Sequence, residues 1–457
     1  MSLFKKLIFT LLFFTIPISS NSFELVRDVE LEEFTQELLL PLTRASNLED
    51  NRIDLYFINS NQINAFVTSG QSIFINTELI AQSRTYDEYL GVLAHELAHI
   101  NGGHISRTKN QIAELGERSM PIYLLGILGI LGGEADAGLA ALIVGSASVQ
   151  DGYLYYSRTQ EAAADQSAIS LLCKSRQPIK GLETFLQRLD RSTLENARDY
   201  QYKTTHPQTV DRYNWIKNSY KKYPNCKYEL DNKLQKRFEL IKAKLLAFTH
   251  SQEEVLAIYR NTNSDAAKYA LAATNFFNGD KKNLVAEIKS LIKNNPENPY
   301  YHELLGEVYY SQGNFTLAIE EQKITIELMK SINDLHLMML GSYLLAESSK
   351  VSIIESIDTL NKSLFINKNN SYSWYLLAKA YALNNNLALA QYASAERYYL
   401  RGDKPLALSF AKKAIKNIDK NTVEWYRAND LIEIIDEIEK KNNKNKFNGA
   451  ELTQNYE

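Results

Sequence analysis

Residues 91–100 read GVLAHELAHI, and this stretch decides how the first part of the chain folds. On an α-helix, side chains four positions apart lie on the same face, so His95 and His99 point in the same direction. Two neutral imidazoles at this spacing can bind one zinc ion. Glu96 is then placed to act as a general base toward an attacking water. The stretch therefore predicts a metal-binding helix with a base beside the metal.

The flanking sequence also predicts a helix here. Thr85 and Glu88 have the spacing of a capping box, and leucines recur at helical spacing through the stretch. Gly102 is placed to end the helix.

A zinc site needs a third ligand, and two patterns offer one. In the first, H-E-x-x-H-x-x-G-x-x-H, a His follows soon after the helix. Gly102 fits this pattern, but the required position is Ile105, and His104 falls one residue short. Because a one-residue shift after a tight turn aims the side chain elsewhere, we expect the metal to be retained without His104. In the second pattern, a Glu on a downstream helix completes the site.

Residues 157–165, SRTQEAAAD, supply such a Glu. Glu161 and Asp165 lie four apart on one helical face, so Glu161 can bind zinc while Asp165 accepts the spare N–H of a ligating His. The alanines at 162–164 and Ala168 allow this helix to approach the first one closely. Taken alone, the two carboxylates fit a solvated helix face equally well. Their combination with HELAH favours the zinc site.

The motif pair H-E-L-A-H and S-R-x-x-E-x-x-A-D resembles the zinc metallopeptidase family that includes HtpX and the CAAX prenyl proteases. The resemblance covers nearly the whole chain and is strongest with the secreted branch, which carries a tetratricopeptide array. It implies that His95, His99 and Glu161 bind one zinc ion per chain and that Glu96 is the catalytic base.

The same resemblance gives roles to further residues. In the secreted branch, a His within a motif like THP (residues 205–207) can approach the metal as an additional ligand, which here is His206. Without the resemblance, His206 fits an ordinary loop equally well. Asp165, Arg158 and Arg212 are expected to support the ligands or the transition state.

The resemblance also implies a place of action. The expected substrates are unfolded or misassembled outer-membrane barrel proteins, and the expected partners are components of the barrel-assembly machinery. The compartment would be the periplasm, with an association with the outer membrane. An alternative from a different class is an assembly chaperone or scaffold whose peptidase is normally restrained.

Composition limits the remaining classes. The chain has 457 residues, enough for two or three domains, and its 45% apolar and 23% charged residues are typical of a globular protein. The net charge is −3 and no basic patch is sustained, so we expect no nucleic-acid partner.

Two apolar segments stand apart from the domains. Residues 1–22 have two lysines, an apolar run and a small-x-small site, which predicts a cleaved secretory signal peptide, with an uncleaved anchor as the alternative. Residues 120–149 are apolar and rich in glycine, but an acidic interruption splits them into halves too short to span a membrane. This run predicts a buried helical hairpin. The alternatives are a lid over the cleft or a surface that makes a peripheral membrane contact.

The peptidase domain is predicted over residues 23–225. A helix over 29–40 should end before Pro41, and short strands are expected at 53–59, 62–68 and 72–76. An edge strand of this sheet can hold an extended substrate by strand addition. Cys173 and Cys226 form either a disulfide or two buried free thiols.

A tetratricopeptide domain is predicted over residues 226–440. Leu230, Leu234, Phe238, Ile241 and Leu245 mark a long helix. Small residues then recur at the repeat period, at Ala272, Gly306, Gly341 and Ala378, which predicts about four helical hairpins. Residues 441–457, rich in Asn and Lys, are expected to be a disordered tail. The predicted fold class is a mostly α chain: an α+β (gluzincin) peptidase domain with a small sheet, followed by an all-α repeat solenoid.

Overall fold

The computed structural model describes residues 24–46, 48, 53–68, 71–104, 158–191, 202, 206, 210–279 and 283–454. The chain divides into two compact units, Met1–Glu287 and Ile288–Glu457. The predicted signal peptide (1–22) and the apolar run (120–149) lie outside the described residues. No helix within the described ranges has the length and hydropathy needed to cross a membrane.

The first unit contains a small mixed sheet. Its strands are β1 (Glu24–Val26), β2 (Asp54–Asn59), β3 (Ala65–Thr68) and β4 (Ser72–Asn76), in the spatial order β1-β2-β4-β3. β2 and β4 are parallel, and the other two pairs are antiparallel. β3 is therefore an edge strand in the part of the chain that the structure describes. β1 was not predicted, because three residues are too few to show an alternating pattern.

Helix α1 (Val29–Ala45) runs past Pro41, so the prediction that it ends before this proline is wrong. The side chain of Asp28 caps its start by accepting a hydrogen bond from the N–H of Leu31 at 2.9 Å. A proline inside a helix costs about 3 kcal/mol or more. Leu42, beyond the proline, is fully buried in the core of the unit, and packing of this kind offsets that cost.

Helix α2 (Thr77–Gln82) leads into α3 (Tyr86–Asn101), which carries the HELAH motif. Every residue of α3 from Tyr86 to His99 is buried. Gly102 ends the helix as predicted, but the predicted capping box does not form. The carboxylate of Glu88 accepts from the N–H of Arg84 instead, at 2.9 Å, and the Thr85 hydroxyl bonds to Asp87.

Helix α3 is enclosed by the helices that follow, namely α4 (Arg158–Lys174), α5 (Lys180–Arg191) and α6 (Val210–Lys222). α4 and α5 pack directly on α3, and α6 packs on both of them. Two glycines permit the α3–α5 contact. A Cβ on Gly181 would overlap the carbonyl of Asp87, and one on Gly91 would lie 2.7 Å from the N atom of Leu182. Helix α3 is therefore held backbone to backbone against α5.

The first unit also includes helices that follow residue 225, and the predicted domain bounds, 23–225 and 226–440, stay predictions. Helix α7 (Asn232–Thr249) packs on α1, α2 and α3, and its buried Phe238, Ile241 and Leu245 belong to the core of the first unit. Helices α8 (Gln252–Tyr259) and α9 (Asp265–Phe277) follow, and α10 (Leu284–Asn294) contains the boundary. An apolar stripe predicts that a helix is packed, but not which partner it packs on.

The second unit consists of stacked helical hairpins. They are formed by α11 (Pro299–Ser311) with α12 (Phe315–Leu328), α13 (Asp334–Glu347) with α14 (Lys350–Ile366), α15 (Ser371–Leu383) with α16 (Leu387–Leu400), and α17 (Lys404–Ala414) with α18 (Val423–Gln454). Two of the periodic small residues, Gly306 and Gly341, lie against a neighbouring helix. A Cβ on Gly341 would lie 2.6 Å from Cγ of Leu360. The predicted fold class, a peptidase domain with a small sheet before an all-helical repeat region, is confirmed.

The end of the chain differs from the expectation of a disordered tail over 441–457. Helix α18 continues through this stretch as far as Gln454. Its first half is anchored by buried residues such as Leu431 and Ile435. A helix that is already nucleated gains one backbone hydrogen bond for each added residue, so it can continue through a polar sequence.

Cys173 and Cys226 are joined in a disulfide, with their Cα atoms 5.2 Å apart. The bond ties α4, which carries Glu161, to the segment that follows α6. It closes a loop with a sequence separation of 53 residues.

The double variant Cys173→Ala/Cys226→Ala should lower the free energy of unfolding of the first unit by about 4 kcal/mol, because the open chain regains loop entropy in the unfolded state. Urea unfolding of both proteins, with and without reductant, measures this loss. The variant should behave like the reduced wild type. If reductant leaves the wild-type midpoint unchanged, the disulfide does not stabilise the unit.

Candidate metal centre

Four buried side chains converge at the face of α3. They are His95 and His99 of α3, Glu161 of α4, and His206, and each offers a donor atom within 4.8 Å of the others. The Nε2 atoms of His95 and His99 are 3.1 Å apart. The Glu161 carboxylate lies 3.4 Å from the first and 3.2 Å from the second. All four residues have no solvent exposure.

Local structure accounts for this convergence. One helical turn separates His95 from His99, so both rings project from the same face of α3. Ala164 and Ala168 of α4 are fully buried, which lets α4 approach α3 and bring Glu161 over the two imidazoles. Three imidazoles and one carboxylate form a donor set that suits a divalent transition metal. The residues therefore fit a metal ion, whose positive charge would balance the buried carboxylate.

Asp165 supports the first histidine. Its Oδ1 lies 3.0 Å from Nδ1 of His95, the ring nitrogen that faces away from the cluster. This contact sets the ring so that Nε2 faces Glu161. Burial raises the pKa of Asp165, but the neighbouring guanidinium of Arg212 outweighs burial and leaves the pKa below its ordinary value. Asp165 is thus a carboxylate throughout the neutral range.

Arg212 of α6 joins the two acidic residues of α4. Its Nε and Nη2 donate to the two oxygens of Asp165 at 2.7 and 2.9 Å. Its Nη1 lies 2.6 Å from Oε2 of Glu161. The guanidinium is almost fully buried, and these two carboxylates raise its pKa above the ordinary value despite burial. The guanidinium of Arg212 therefore orients the candidate ligand Glu161. It also orients Asp165, which supports the candidate ligand His95.

Glu96 lies beside the cluster. Burial raises its pKa to about 7, although the neighbouring His206 and His95 act in the opposite direction. Neither of its carboxylate oxygens has a hydrogen-bond partner among the described residues, and Oε1 lies 3.5 Å from Nε2 of His206. A carboxylate with a pKa near neutrality is suited to take and return a proton.

His206 contacts both the cluster and the sheet. Its Nδ1 lies 3.2 Å from Oε1 of Glu161, and its Nε2 lies 3.1 Å from the carbonyl oxygen of Ala65 at the start of β3. A carbonyl oxygen only accepts, so Nε2 carries the proton and Nδ1 presents its lone pair to the cluster. The ring stacks on Tyr202, with centroids 4.6 Å apart.

The carbonyl of Ala65 lies on the free edge of β3. The preceding carbonyl, of Asn64, accepts from the N–H of Asn76 at 3.0 Å and so points toward β4. Because successive carbonyls of a strand point in opposite directions, that of Ala65 points away from the sheet. His206 therefore covers a backbone acceptor that an added strand would use.

His104 is not one of the four converging residues, but it lies close to them. It is buried, and its Nδ1 lies 2.8 Å from Nδ1 of His99. The expectation that metal binding is indifferent to His104 is therefore not supported by its position. A signal was present in the sequence, since Gly102 and Gly103 before His104 allow the chain to fold back over the helix end.

Two of the three predicted supporting residues lie close to the cluster. Asp165 and Arg212 lie directly behind the cluster, whereas the side chain of Arg158 lies outside the described set. Tyr202 and the carbonyl of Ala65 were not predicted. A backbone carbonyl has no sequence signature, and Tyr202 has no spacing relation to the two motifs.

Comparison with known proteins defines the class of the first unit. Residues 27–219 match peptidase family M48, so this part of the chain is an M48 peptidase domain. The match and the cluster of candidate ligands support a metallopeptidase. Over 436 residues, 92% of this chain and 86% of the relative, the chain is 25% identical to the beta-barrel assembly-enhancing protease of Escherichia coli strain K12. It is 22% identical to the protein of the same name from Yersinia pestis, over 88% of this chain and 83% of that one.

Solved structures show only weak similarity to this chain. The crystal structure of MamA covers 38% of this chain and 97% of its own, with 20% identity and a TM-score of 0.28. TTC0263, a tetratricopeptide protein of Thermus thermophilus, covers 37% of this chain and 99% of its own, with 16% identity and a TM-score of 0.25.

Replacing Arg212 by Met should lower the free energy of unfolding by about 3–5 kcal/mol, because two buried carboxylates lose their counter-charge. Urea unfolding in the presence of a chelator measures this loss without a metal contribution. Arg237→Met is a matched control, since Arg237 also contacts a carboxylate, that of Glu37, at 2.6 Å, but at a partly exposed position. The control should lose about 0–1 kcal/mol. Equal losses in both variants would mean that burial does not set the strength of the Arg212 network.

Proposed function

We propose that this chain is a zinc-dependent endopeptidase of the periplasm that degrades unfolded or misassembled outer-membrane proteins. The observation that carries the peptidase assignment is the buried cluster of His95, His99 and Glu161 with Glu96 beside it. These residues are the donor set and base of a hydrolytic zinc site.

His95, His99 and Glu161 would hold the metal. When bound, zinc supplies a Lewis acid that polarises the scissile carbonyl and makes water a better nucleophile at neutral pH. Glu96 takes the proton of the attacking water and later delivers it to the nitrogen of the leaving amine. Asp165 holds His95 in place and Arg212 holds Glu161 during this exchange. The side chains of Asp165 and Arg212 are themselves fixed by the ion pair between them.

Substrate would be bound as an extended chain along β3. An edge strand offers unpaired backbone groups, and strand addition aligns a peptide without requiring a particular side-chain sequence. The outward carbonyl oxygen of Ala65 lies 3.1 Å from Nε2 of His206, a member of the cluster. A peptide that pairs with β3 would therefore pass close to the candidate base, Glu96. Unfolded barrel strands, with alternating apolar residues, suit this mode of binding.

The client class is supported by the relatives and by the predicted secretion signal. The proteins that align with most of this chain are named for beta-barrel assembly. Residues 1–22 have the pattern of a secretory signal, and the Cys173–Cys226 bridge suits an oxidising compartment. The stacked hairpins of the second unit would recruit clients or components of the barrel-assembly machinery.

A second candidate is an assembly chaperone or scaffold with a restrained peptidase. The position of His206 favours restraint, because its imidazole lies in the ligand cluster and also covers the acceptor of Ala65. An additional ligand from the protein would take the place that the attacking water needs. Both activities can belong to one chain if His206 leaves the cluster when a client binds.

Glu96→Gln should retain zinc and lose peptidase activity by several orders of magnitude, because the ligands remain while the base is gone. The measurements are metal content and cleavage of casein as an unfolded substrate. Glu161→Ala should instead lose both zinc and activity. A Glu96→Gln protein that cleaves casein at the wild-type rate would rule out the proposed mechanism.

His206→Ala should retain zinc through the other three residues and cleave casein faster by about tenfold, since the hydrogen bond that holds the closed position is worth about 1.4 kcal/mol. His250→Ala is the matched control, because His250 contacts Glu78 at 3.2 Å, away from the cluster, and should leave the rate unchanged. Loss of activity with zinc retained would assign His206 to transition-state stabilisation. An unchanged rate and zinc content would assign it to an ordinary loop.

A further inference from the structure

The turn after α3 places the imidazole of His104 behind the helix face that carries His95 and His99. Gly102 ends the helix with φ −71° and ψ −10°, and Gly103 adopts φ +58°, a left-handed conformation that glycine takes without strain. The chain thereby folds back, and His104 lies against the last turn of α3. Its ring is almost perpendicular to that of His99, with centroids 4.9 Å apart, and only 4% of the residue is exposed.

The contact between the two rings defines their protonation. Nε2 of His99 faces the cluster, 3.1 Å from His95 and 3.2 Å from Glu161, so this nitrogen must present a lone pair to a metal. The proton of a neutral His99 then lies on Nδ1. Nδ1 of His104, 2.8 Å away, accepts it, which places the proton of His104 on Nε2.

We propose that His104 is a positioning residue that fixes the ring orientation and tautomer of His99, as Asp165 does for His95. This inference rests on the proposed metal site. The two supports differ in charge, because Asp165 is an anion balanced by Arg212 whereas His104 is neutral. A neutral acceptor holds the second ligand without adding another negative charge to a cluster that already contains Glu96 and Glu161.

Gly102 has a role that follows from this geometry. A Cβ at Gly102 would lie 2.5, 2.8 and 2.9 Å from Nε2, Cδ2 and Cε1 of His104, and these are the three nearest atoms. The backbone angles of Gly102 are ordinary for alanine. Gly102→Ala therefore displaces the ring of His104, so the glycine is required because the imidazole lies against it.

The first test compares three replacements of His104 in the full-length protein. Affinity for Zn²⁺ is measured by competition with a chromophoric chelator. His104→Ala and His104→Phe, which remove the acceptor, should each weaken Zn²⁺ binding by about 10–100-fold. His104→Asn should stay within about threefold of wild type, because Oδ1 of Asn occupies the place of Nδ1 and accepts the same proton.

The Phe and Asn variants separate positioning from packing. Phe retains the ring volume and Asn retains the acceptor, so a purely structural role predicts that Phe is the milder change. Wild-type Zn²⁺ affinity in the Phe variant, or equal losses in the Asn and Phe variants, would overturn the proposal. If wild-type protein itself binds no Zn²⁺, the proposed function fails rather than the role of His104.

A double-mutant cycle gives an independent test that does not require the Ala variant to be fully stable. Gly102→Ala should weaken Zn²⁺ binding in the wild-type background and have no further effect in the His104→Ala background, because the displaced ring is then absent. Urea unfolding with chelator present monitors the helix end itself. Equal effects of Gly102→Ala in both backgrounds would mean that it acts through the helix terminus, and the proposal would be wrong.

Discussion

The buried ion network of Arg212 is the interaction on which the rest of the site depends. Its guanidinium binds Asp165 through two nitrogens and Glu161 through the third, with all three groups shielded from water. Two carboxylates one turn apart on α4 would otherwise repel each other and favour protonation. Arg212 keeps Asp165 ionised, so that Asp165 can orient His95. His206, His95 and Arg212 together hold the pKa of Glu161 well below its ordinary value, so that its carboxylate can serve as a ligand. The approach of α6 to α4 is therefore a condition for the metal centre.

The geometry of α3 imposes a second constraint. A helix buried on all sides ordinarily carries apolar residues, yet α3 also buries His95, Glu96 and His99. Buried polar groups are costly unless each is paired. His95 is supported by Asp165 and His99 by His104, while burial raises the pKa of Glu96 to about 7. The candidate ligands His95 and His99 are thus held in place by neighbouring side chains, whereas the candidate base Glu96 is suited to exchange a proton.

The sequence predicted the parts of this arrangement that depend on local periodicity. His95 with His99, and Glu161 with Asp165, follow from the four-residue spacing of a helix, and the two predicted pairs do lie face to face. What it could not predict depends on how separate elements meet. The carbonyl of Ala65 has no side-chain signature, and His104 reaches His99 only because Gly103 reverses the chain. The long helix α7 was predicted, but not its packing on α1, α2 and α3, because an apolar stripe does not identify the partner of a helix. Pro41 was read as a helix end, although the helix continues through the buried Leu42.

The two contacts of His206 are coupled by the stiffness of its ring. Nδ1 and Nε2 belong to one planar ring, so a movement that withdraws the whole imidazole from the site breaks its contacts with both Glu161 and the carbonyl of Ala65. Vacating the ligand cluster and exposing the edge acceptor of β3 are then a single event. A substrate N–H that binds Ala65 replaces the hydrogen bond that the ring gives up, so the binding of an extended chain offsets part of the cost of moving the ring. This geometry links access to the candidate metal site with the presence of a chain on the edge strand.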